Sequence, residues 1–299
     1  MEKTQMPTHK RIMMMALGLA VLLGPAAHAQ AQADAQNFMF NSGQSVQPFF
    51  DGWARNPDGS FEFHFGYLNR NYVEELHIPV GANNHITPDA PDRGQPDYFY
   101  PRKRTRVFSV TVPADWGDRE VVWQVTVGED THRAVGWLQP EWEIDANPGA
   151  MRTDPSVLAV NDTPTLSVSA PASAAVGGAF AMTVNVSDDG LPPPRVFRGG
   201  GQGVLPTFER VPGPTLPINV PRAHTRNRHA PTRSEVDGIT VMLTQLRGPV
   251  GARLQAERNV EGGVATVTGT FAHAGAYLFR VTASDGPSSV TQDVSLTIR

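Results

Sequence analysis

The chain has 299 residues and a formal net charge of −4, which is enough polypeptide for roughly one to three compact domains. This mildly acidic balance lacks the positive field that binds a phosphate backbone, so we expect no nucleic-acid partner. The sequence contains no cysteine, which excludes disulfides, cysteine-ligated metals, thiol nucleophiles and a lipoprotein anchor.

The N-terminus has the pattern of a secretory signal peptide. A charged start precedes an apolar run at residues 12–23 and a small-x-small cleavage site at Ala27-His28-Ala29, with Ala31-Gln32-Ala33 as the alternative site. The apolar run is about 12 residues long, whereas a membrane-spanning helix needs roughly 20. We predict a signal peptide at 1–33, a flexible lead-in at 34–48, no membrane span, and a periplasmic or secreted protein after cleavage.

Alternation of apolar and polar residues predicts an antiparallel β-sandwich at residues 49–145. In the segment 61–67, aromatic residues are separated by single polar or small residues, which is the period of a half-buried strand. A Pro-Asp-Gly turn at residues 57–59 precedes it, so the segments 49–54 and 61–67 form a predicted hairpin. Short strands and turns follow with no amphipathic helix between them, as is typical of a sandwich.

A second β-sandwich is predicted at residues 165–299, after a linker at 146–164 that is poor in apolar residues and contains two Pro turns. Alternation breaks at residues 192–238, where Pro and Gly are frequent. A long excursion of this kind is disordered or functional. Its arginines are candidates for docking onto an acidic partner: Arg195, Arg198, Arg210, Arg222, Arg226 and Arg228.

Three spaced segments of the second sandwich follow one another in a familiar order: Val-Ser-Asp-Asp-Gly-Leu-Pro at 186–192, Gln-Leu-Arg-Gly-Pro at 245–249, and residues 271–286, which end in Ser-Asp-Gly. With these segments, residues 165–299 resemble the bacterial PKD-like and cadherin-like immunoglobulin-fold modules. The resemblance implies a non-catalytic spacer or recognition role, although this fold hosts many functions. Leu243 stands where such modules usually carry a tryptophan.

Three segments of the first sandwich, at 50–53, 65–71 and 137–143, resemble uncharacterised exported bacterial proteins. That resemblance implies no activity. The predicted fold class is therefore all-β, with two immunoglobulin-like antiparallel β-sandwich domains in tandem.

All five tryptophans precede the second sandwich. Trp123 alternates with Val121 and Val125, which predicts a core position. Large flat side chains that remain exposed can stack on sugars or anchor a protein partner. The candidate ligand-binding residues are Tyr67, Asn69, Arg70, Asn71, Trp137 and Trp142.

No motif of catalysis, metal binding or cofactor binding is present. The glycine-rich segment 199–203 lacks the Lys-Ser/Thr of a phosphate loop, and Gly-x-Ser-x-Gly does not occur. The histidines lack zinc-ligand spacing, and Asp188-Asp189 is more typical of a turn cap than of a calcium loop. We expect no catalytic residue, no metal and no cofactor.

The leading hypothesis is an exported, non-catalytic binding or adhesion protein that recognises a cell-envelope glycan or an exported protein, with the second sandwich as a spacer. The alternative is a structural accessory subunit of an envelope complex that docks through the basic segment 195–233. A hydrolase with its site at the edge of a sandwich is the weaker alternative.

Overall fold

A computed structural model describes residues 41–144, 153–193, 231–236, 238–257 and 261–299. The first part contains eight strands: β1 (Val46–Arg55), β2 (Phe61–Asn69), β3 (Leu76–His77), β4 (Asn84–Thr87), β5 (Tyr98–Phe99), β6 (Arg102–Val112), β7 (Val121–Val127) and β8 (Asp130–Gly136). The predicted signal peptide and most of the predicted lead-in lie outside the described residues.

The second part contains nine strands: β9 (Thr165–Ser169), β10 (Ser173–Ala174), β11 (Phe180–Ser187), β12 (Thr232–Val236), β13 (Ile239–Arg247), β14 (Ala252–Ala256), β15 (Val264–Phe271), β16 (Gly275–Ser284) and β17 (Ser289–Ile298). A four-residue helix, α1 (Pro155–Leu158), precedes them, and 3-10 turns occupy Pro140–Trp142 and Glu261–Gly263. Within these described residues, no helix has the length and apolarity to cross a membrane.

The first domain is a sandwich of two three-stranded antiparallel sheets, in the orders β1-β2-β6 and β4-β7-β8. The pair β3-β5 forms a short ribbon beside them. The inward rows of both sheets form one core in which Phe63, Phe65 and Trp123 are completely buried. The predicted hairpin is confirmed, because β1 and β2 pair in register from Val46 opposite Asn69.

The second domain packs the sheet β10-β17-β16-β13-β12 against the sheet β14-β15-β11-β9 around a separate core. In their order across the sheet, β9, β11, β15 and β14 occupy the A, B, E and D positions of an immunoglobulin sandwich, and β13, β16 and β17 occupy C, F and G. The Tyr277 hydroxyl donates to the His273 carbonyl at 2.9 Å, which is the tyrosine corner found in such domains.

The same strand order occurs in the first domain, where β1-β2-β6 corresponds to A-B-E and β4-β7-β8 to C-F-G. The prediction of two immunoglobulin-like antiparallel β-sandwiches is therefore confirmed. Two boundaries differ from the prediction. Strand β1 begins within the predicted lead-in at 34–48, and β12 pairs with β13 although it lies within the predicted excursion at 192–238.

The second half of the predicted linker is attached to the second domain. Asp154 caps α1, the Asn161 side chain donates to Asp285 at 2.8 Å, and the Asp162 amide donates to Asp189 at 2.9 Å. Residues 145–152 of that linker region lie outside the described residues. The acidic turn at Asp188-Asp189 thus holds the chain as it enters the second domain.

A seam of hydrogen bonds joins the two domains. The end of β13 meets the segment that leads into β5: Asp97 N donates to Leu246 O at 3.0 Å, and Gly248 N donates to Asp97 Oδ1 at 2.8 Å. Arg247 adds two bonds to the Asp92 carboxylate, at 2.6 and 2.9 Å. The sequence analysis predicted no contact between these two segments.

Candidate functional site

Two tryptophans that follow β8 form a stacked, partly exposed group. The Trp137 and Trp142 rings stack with their centroids 5.6 Å apart, and Trp142 also stacks on Phe50 at 5.2 Å. Phe50 belongs to the core of the first domain, whereas Trp142 is 38% exposed. We call Phe50, Trp137 and Trp142 the tryptophan patch. It connects the core to the surface through one continuous aromatic stack.

The chain beyond β8 is held in place by bonds to β1. Trp53 donates through its indole Nε1 to the Gln139 carbonyl at 2.8 Å, and its own carbonyl accepts from the Ile144 amide at 2.8 Å. A Cβ on Gly52 would lie 2.7 Å from the Trp142 carbonyl oxygen. Glycine at this position therefore allows the Pro140–Trp142 turn to approach β1 closely.

A charged pair borders the tryptophan patch. Arg55 Nε donates to the Glu143 carboxylate at 2.8 Å, and the guanidinium lies 5.1 Å from the Trp53 ring centroid. Both side chains are exposed. The arrangement places flat apolar rings beside hydrogen-bonding groups, which is a combination that suits a sugar ring or a peptide segment.

Tyr67, Asn69 and Asn71 do not lie at the surface, so their prediction as ligand contacts is wrong. Each is at most 1% exposed. The Tyr67 hydroxyl accepts from the Tyr100 amide at 2.8 Å, and burial raises the pKa of Tyr67 well above its ordinary value. Tyr67 and Asn69 continue the inward row of β2, which is the physical reason that they face the core.

Of the predicted group at 67–71, only Arg70 has an exposed side chain. Within the described part of the chain, no hydrogen bond or ring contact joins Arg70 to the tryptophan patch. The structure therefore divides the predicted ligand-binding set into a surface tryptophan patch, an interior polar network and a separate cation.

That cation belongs to a group that the sequence analysis missed. We call Arg70, Arg102, Lys103 and Arg106 the basic edge. The last three of these residues lie on β6, which is an edge strand of the sheet β1-β2-β6. The Arg102 Nη1 donates to the Arg70 carbonyl at 3.0 Å. The signal in the sequence was four basic residues among the five at 102–106, in a chain whose net charge is −4.

The basic edge has an unusual backbone. Arg102 and Arg106 have φ angles of 68° and 49°, in the left-handed region that non-glycine residues rarely adopt and that costs free energy. The register also shifts, since Phe65 pairs with Phe108 but Tyr67 pairs with Arg104. A bulge therefore turns this part of β6 away from regular strand geometry.

The predicted docking arginines between 195 and 228 lie outside the described residues. The histidines and carboxylates of the described ranges form no group of three that could hold a metal ion. Near the basic edge, burial raises the pKa of Asp51 despite the opposing effects of a bond from the Arg106 amide and the charges of Lys103 and Arg106.

Comparisons with known proteins give weak similarities. No family model matches the sequence, so the PKD-like or cadherin-like family is not confirmed, and no curated protein shows significant sequence similarity. One structural neighbour is a chimeric titin Z1Z2 tandem, with 10% identity over 84% of this chain and 99% of that chain and a TM-score of 0.24. Another is domains 4 and 5 of the S-layer protein SbsC, with 13% identity over 85% of this chain and 98% of that chain and a TM-score of 0.25.

A further neighbour is the endo-fucoidan hydrolase MfFcnA4 of glycoside hydrolase family 107, with 13% identity over 87% of this chain and 30% of that chain and a TM-score of 0.22. Similarity at this level supports no inference about function.

Proposed function

We propose that the protein is an exported, non-catalytic binding protein whose first domain recognises a cell-envelope glycan or an exported protein through Trp137 and Trp142. The second domain serves as a spacer of the PKD-like or cadherin-like type. The observation that carries the proposal is the stack of Trp142 on both Phe50 and Trp137, with Trp142 exposed at the surface.

This stack is suited to binding because its rings are packed against the first domain before any ligand arrives. Trp142 rests on a core residue, and the strand bridge between Trp53 and Glu143 fixes the chain beside it. A preorganised aromatic surface loses little conformational entropy when a ligand packs on it. The Arg55–Glu143 pair at its border supplies donors and acceptors for the hydroxyl groups of a sugar or the backbone of a peptide.

Export is supported by the signal-peptide pattern at residues 1–33. A non-catalytic role is supported by the lack of a cysteine nucleophile and of a nucleophile-elbow motif in the sequence. The proposal includes no cofactor and no metal.

The test is binding of the purified protein to soluble peptidoglycan fragments and to neutral envelope polysaccharides, followed by tryptophan fluorescence. We expect saturable binding to one of these glycans, and at least roughly tenfold weaker binding for Trp142→Ala, as for an interfacial hot spot. Trp142→Phe preserves packing on Phe50 and should bind with intermediate affinity, which separates loss of contact from loss of folding.

Met242→Ala is the matched control, because Met242 is an exposed apolar residue of the second domain at 37% exposure. It should bind as the unmodified protein does. If no glycan binds, glycan recognition is excluded. The ligand would then have to be an exported protein, as the other half of the proposal states. If Trp142→Ala and Trp137→Ala both leave binding of glycan and of envelope protein unchanged, the proposal is wrong.

A further inference from the structure

Within the described ranges, the basic edge differs from three other surface arginines in forming no salt bridge with a carboxylate. Elsewhere, Arg55, Arg247 and Arg280 each pair with a carboxylate at 2.6 to 2.8 Å. In the described ranges, by contrast, no salt bridge forms at any of the four cations of the basic edge. The Asp51 carboxyl acts on Lys103 and Arg106 through space and accepts from the Arg106 amide, but it forms no salt bridge with either side chain, so the cations can still bind an anion from outside the chain.

Aromatic rings hold two of these cations in place. The Arg102 guanidinium lies 4.1 Å from the Tyr72 ring centroid, and the Lys103 ammonium lies 5.0 Å from that of Phe49. Cation–π contacts of this kind fix the position of a side chain without using its hydrogen-bond donors; Arg102 donates one N–H to the Arg70 carbonyl and keeps others for a ligand. The charges are thus partly ordered before any ligand binds.

An exposed ring accompanies the charges. Tyr72 is 40% exposed, and it lies against Arg102 and close in sequence to Arg70. Guanidinium groups match carboxylate and sulfate groups in a bidentate geometry, while an exposed tyrosine face can pack on the apolar face of a sugar ring. Cations grouped along one edge strand, with an exposed ring beside them, offer both contacts that an acidic sugar needs.

We propose that the basic edge is a second binding surface, which takes an anionic polysaccharide such as a polyuronate or a sulfated glycan through Arg70, Arg102, Lys103, Arg106 and Tyr72. It is independent of the tryptophan patch. Phe49 and Phe50 are consecutive residues of β1, so their side chains point to opposite faces of the sheet. The Lys103 ammonium lies over the Phe49 ring, whereas Trp142 stacks on Phe50.

Charges on an outermost strand can also serve only to prevent strand-to-strand aggregation. Protection against aggregation alone does not require a left-handed backbone at Arg102 and Arg106. It also does not require cations that lie over aromatic rings. Such backbone strain is concentrated in binding and catalytic sites, where the surrounding structure must maintain it. These features favour a surface shaped for a ligand.

The test measures binding of the purified protein to polygalacturonate and to heparin by calorimetry or surface plasmon resonance, at increasing salt. Neutral dextran, poly-glutamate and vesicles containing phosphatidylglycerol serve as comparison probes. We expect binding to at least one of the two anionic polysaccharides, with affinity that falls as salt rises because counterions are released. Dextran should not bind.

The variant Arg102→Gln, Lys103→Gln, Arg106→Gln should bind at least roughly tenfold more weakly, since each of three charge contacts at exposed or half-buried side chains contributes a factor of a few. Because Arg102 and Arg106 have strained backbone, the variant Arg70→Gln, Lys103→Gln provides a second test at unstrained positions. The charge-matched control is Arg133→Gln, Arg253→Gln, Arg299→Gln, which removes three exposed arginines elsewhere.

Weaker binding in both basic-edge variants with unchanged binding in the control supports the proposal. It is overturned if neither polysaccharide binds, if the control weakens binding as much as the variants do, or if poly-glutamate or the vesicles bind more tightly than the polysaccharides. The Trp142→Ala variant should bind the anionic polysaccharide normally, so failure here is distinguishable from failure of the tryptophan patch.

Discussion

At the scale of single residues, Asn69 and Asn71 show how the first domain uses buried polar groups. The Asn69 amide donates to the carbonyls of Glu74 and Phe99 at 2.9 and 3.2 Å, and its Oδ1 accepts from the backbone and side chain of Asn71. Both asparagines are completely buried. Their role is to satisfy the backbone where β2 ends.

Replacement of Asn69 by Ala should therefore destabilise the protein. The substitution leaves a buried carbonyl, a partly buried carbonyl and the Asn71 amide without their partner, which costs about 1–3 kcal/mol for each group that finds no water. Urea unfolding should show a loss of at least about 2 kcal/mol. Arg70→Ala, at the neighbouring exposed position, should change stability by less than about 0.5 kcal/mol; equal effects of the two substitutions would contradict this assignment.

At the scale of elements, the two domains are joined where β13 ends. The register of β13 against β16 shifts between Gln245 and Arg247, which releases Leu246 to bond with Asp97. A relay of hydroxyl groups connects the seam to the first core, because Tyr100 OH accepts from the Gln245 amide while the Tyr100 amide donates to Tyr67 OH. The bulge in one strand thus creates the contact between domains.

Gly248 should tolerate no side chain at this seam. Its φ is +110°, and a Cβ would lie 2.7 Å from the Tyr277 ring. We expect Gly248→Ala to lower the free energy of unfolding by about 2–4 kcal/mol, from backbone strain and overpacking together. Gly190, with φ +81° and nothing within 4 Å of a Cβ, is the matched control, and Gly190→Ala should cost only about 1 kcal/mol. Equal losses would show that the contact with Tyr277 does not matter.

The Arg247–Asp92 pair makes the seam dependent on pH. The hydrogen bonds from Arg247 hold the pKa of Asp92 below its ordinary value of 3.8, so the charged carboxylate stabilises the folded protein above that pH and the stabilisation disappears as pH falls through the lowered pKa. We expect Asp92→Asn to cost about 0.5–1 kcal/mol at neutral pH, as a partly exposed pair does.

That difference should vanish when unfolding is measured well below pH 3.8. Burial raises the pKa of Asp97 and gives the opposite trend, but Asp97 is present in both proteins and does not affect the difference between them. A difference that grows on acidification would contradict the role of Asp92.

At the scale of the whole molecule, period-two alternation was sufficient to predict both sandwiches. Each strand repeats the signal over many residues, and the prediction that Trp123 lies in the core is confirmed. On β2, the alternation that places Phe63 and Phe65 in the core continues to Tyr67 and Asn69. It therefore also predicts that these two residues are buried. Their assignment to a ligand site was an error that the pattern itself could have corrected.

The seam and the basic edge could not be predicted in this way. Asp92 and Arg247 are 155 residues apart, and only the packing of two domains brings them together. The basic edge depends on the bulge in β6 and on Tyr72, which lies 30 residues before Arg102 in the sequence. Local alternation contains no information about such contacts, because it reports only which face of one strand is buried.

The central claim, that Trp137 and Trp142 form a binding surface, is tested most directly by the indole N–H signals of the five tryptophans in nuclear magnetic resonance spectra. The indoles of Trp116 and Trp123 donate to Arg119 and Asn84 and serve as internal controls. On titration with soluble envelope glycan or protein ligand, we expect the signals of Trp137 and Trp142 to shift while these two remain unchanged. Binding that leaves the signals of Trp137 and Trp142 in place would contradict the account.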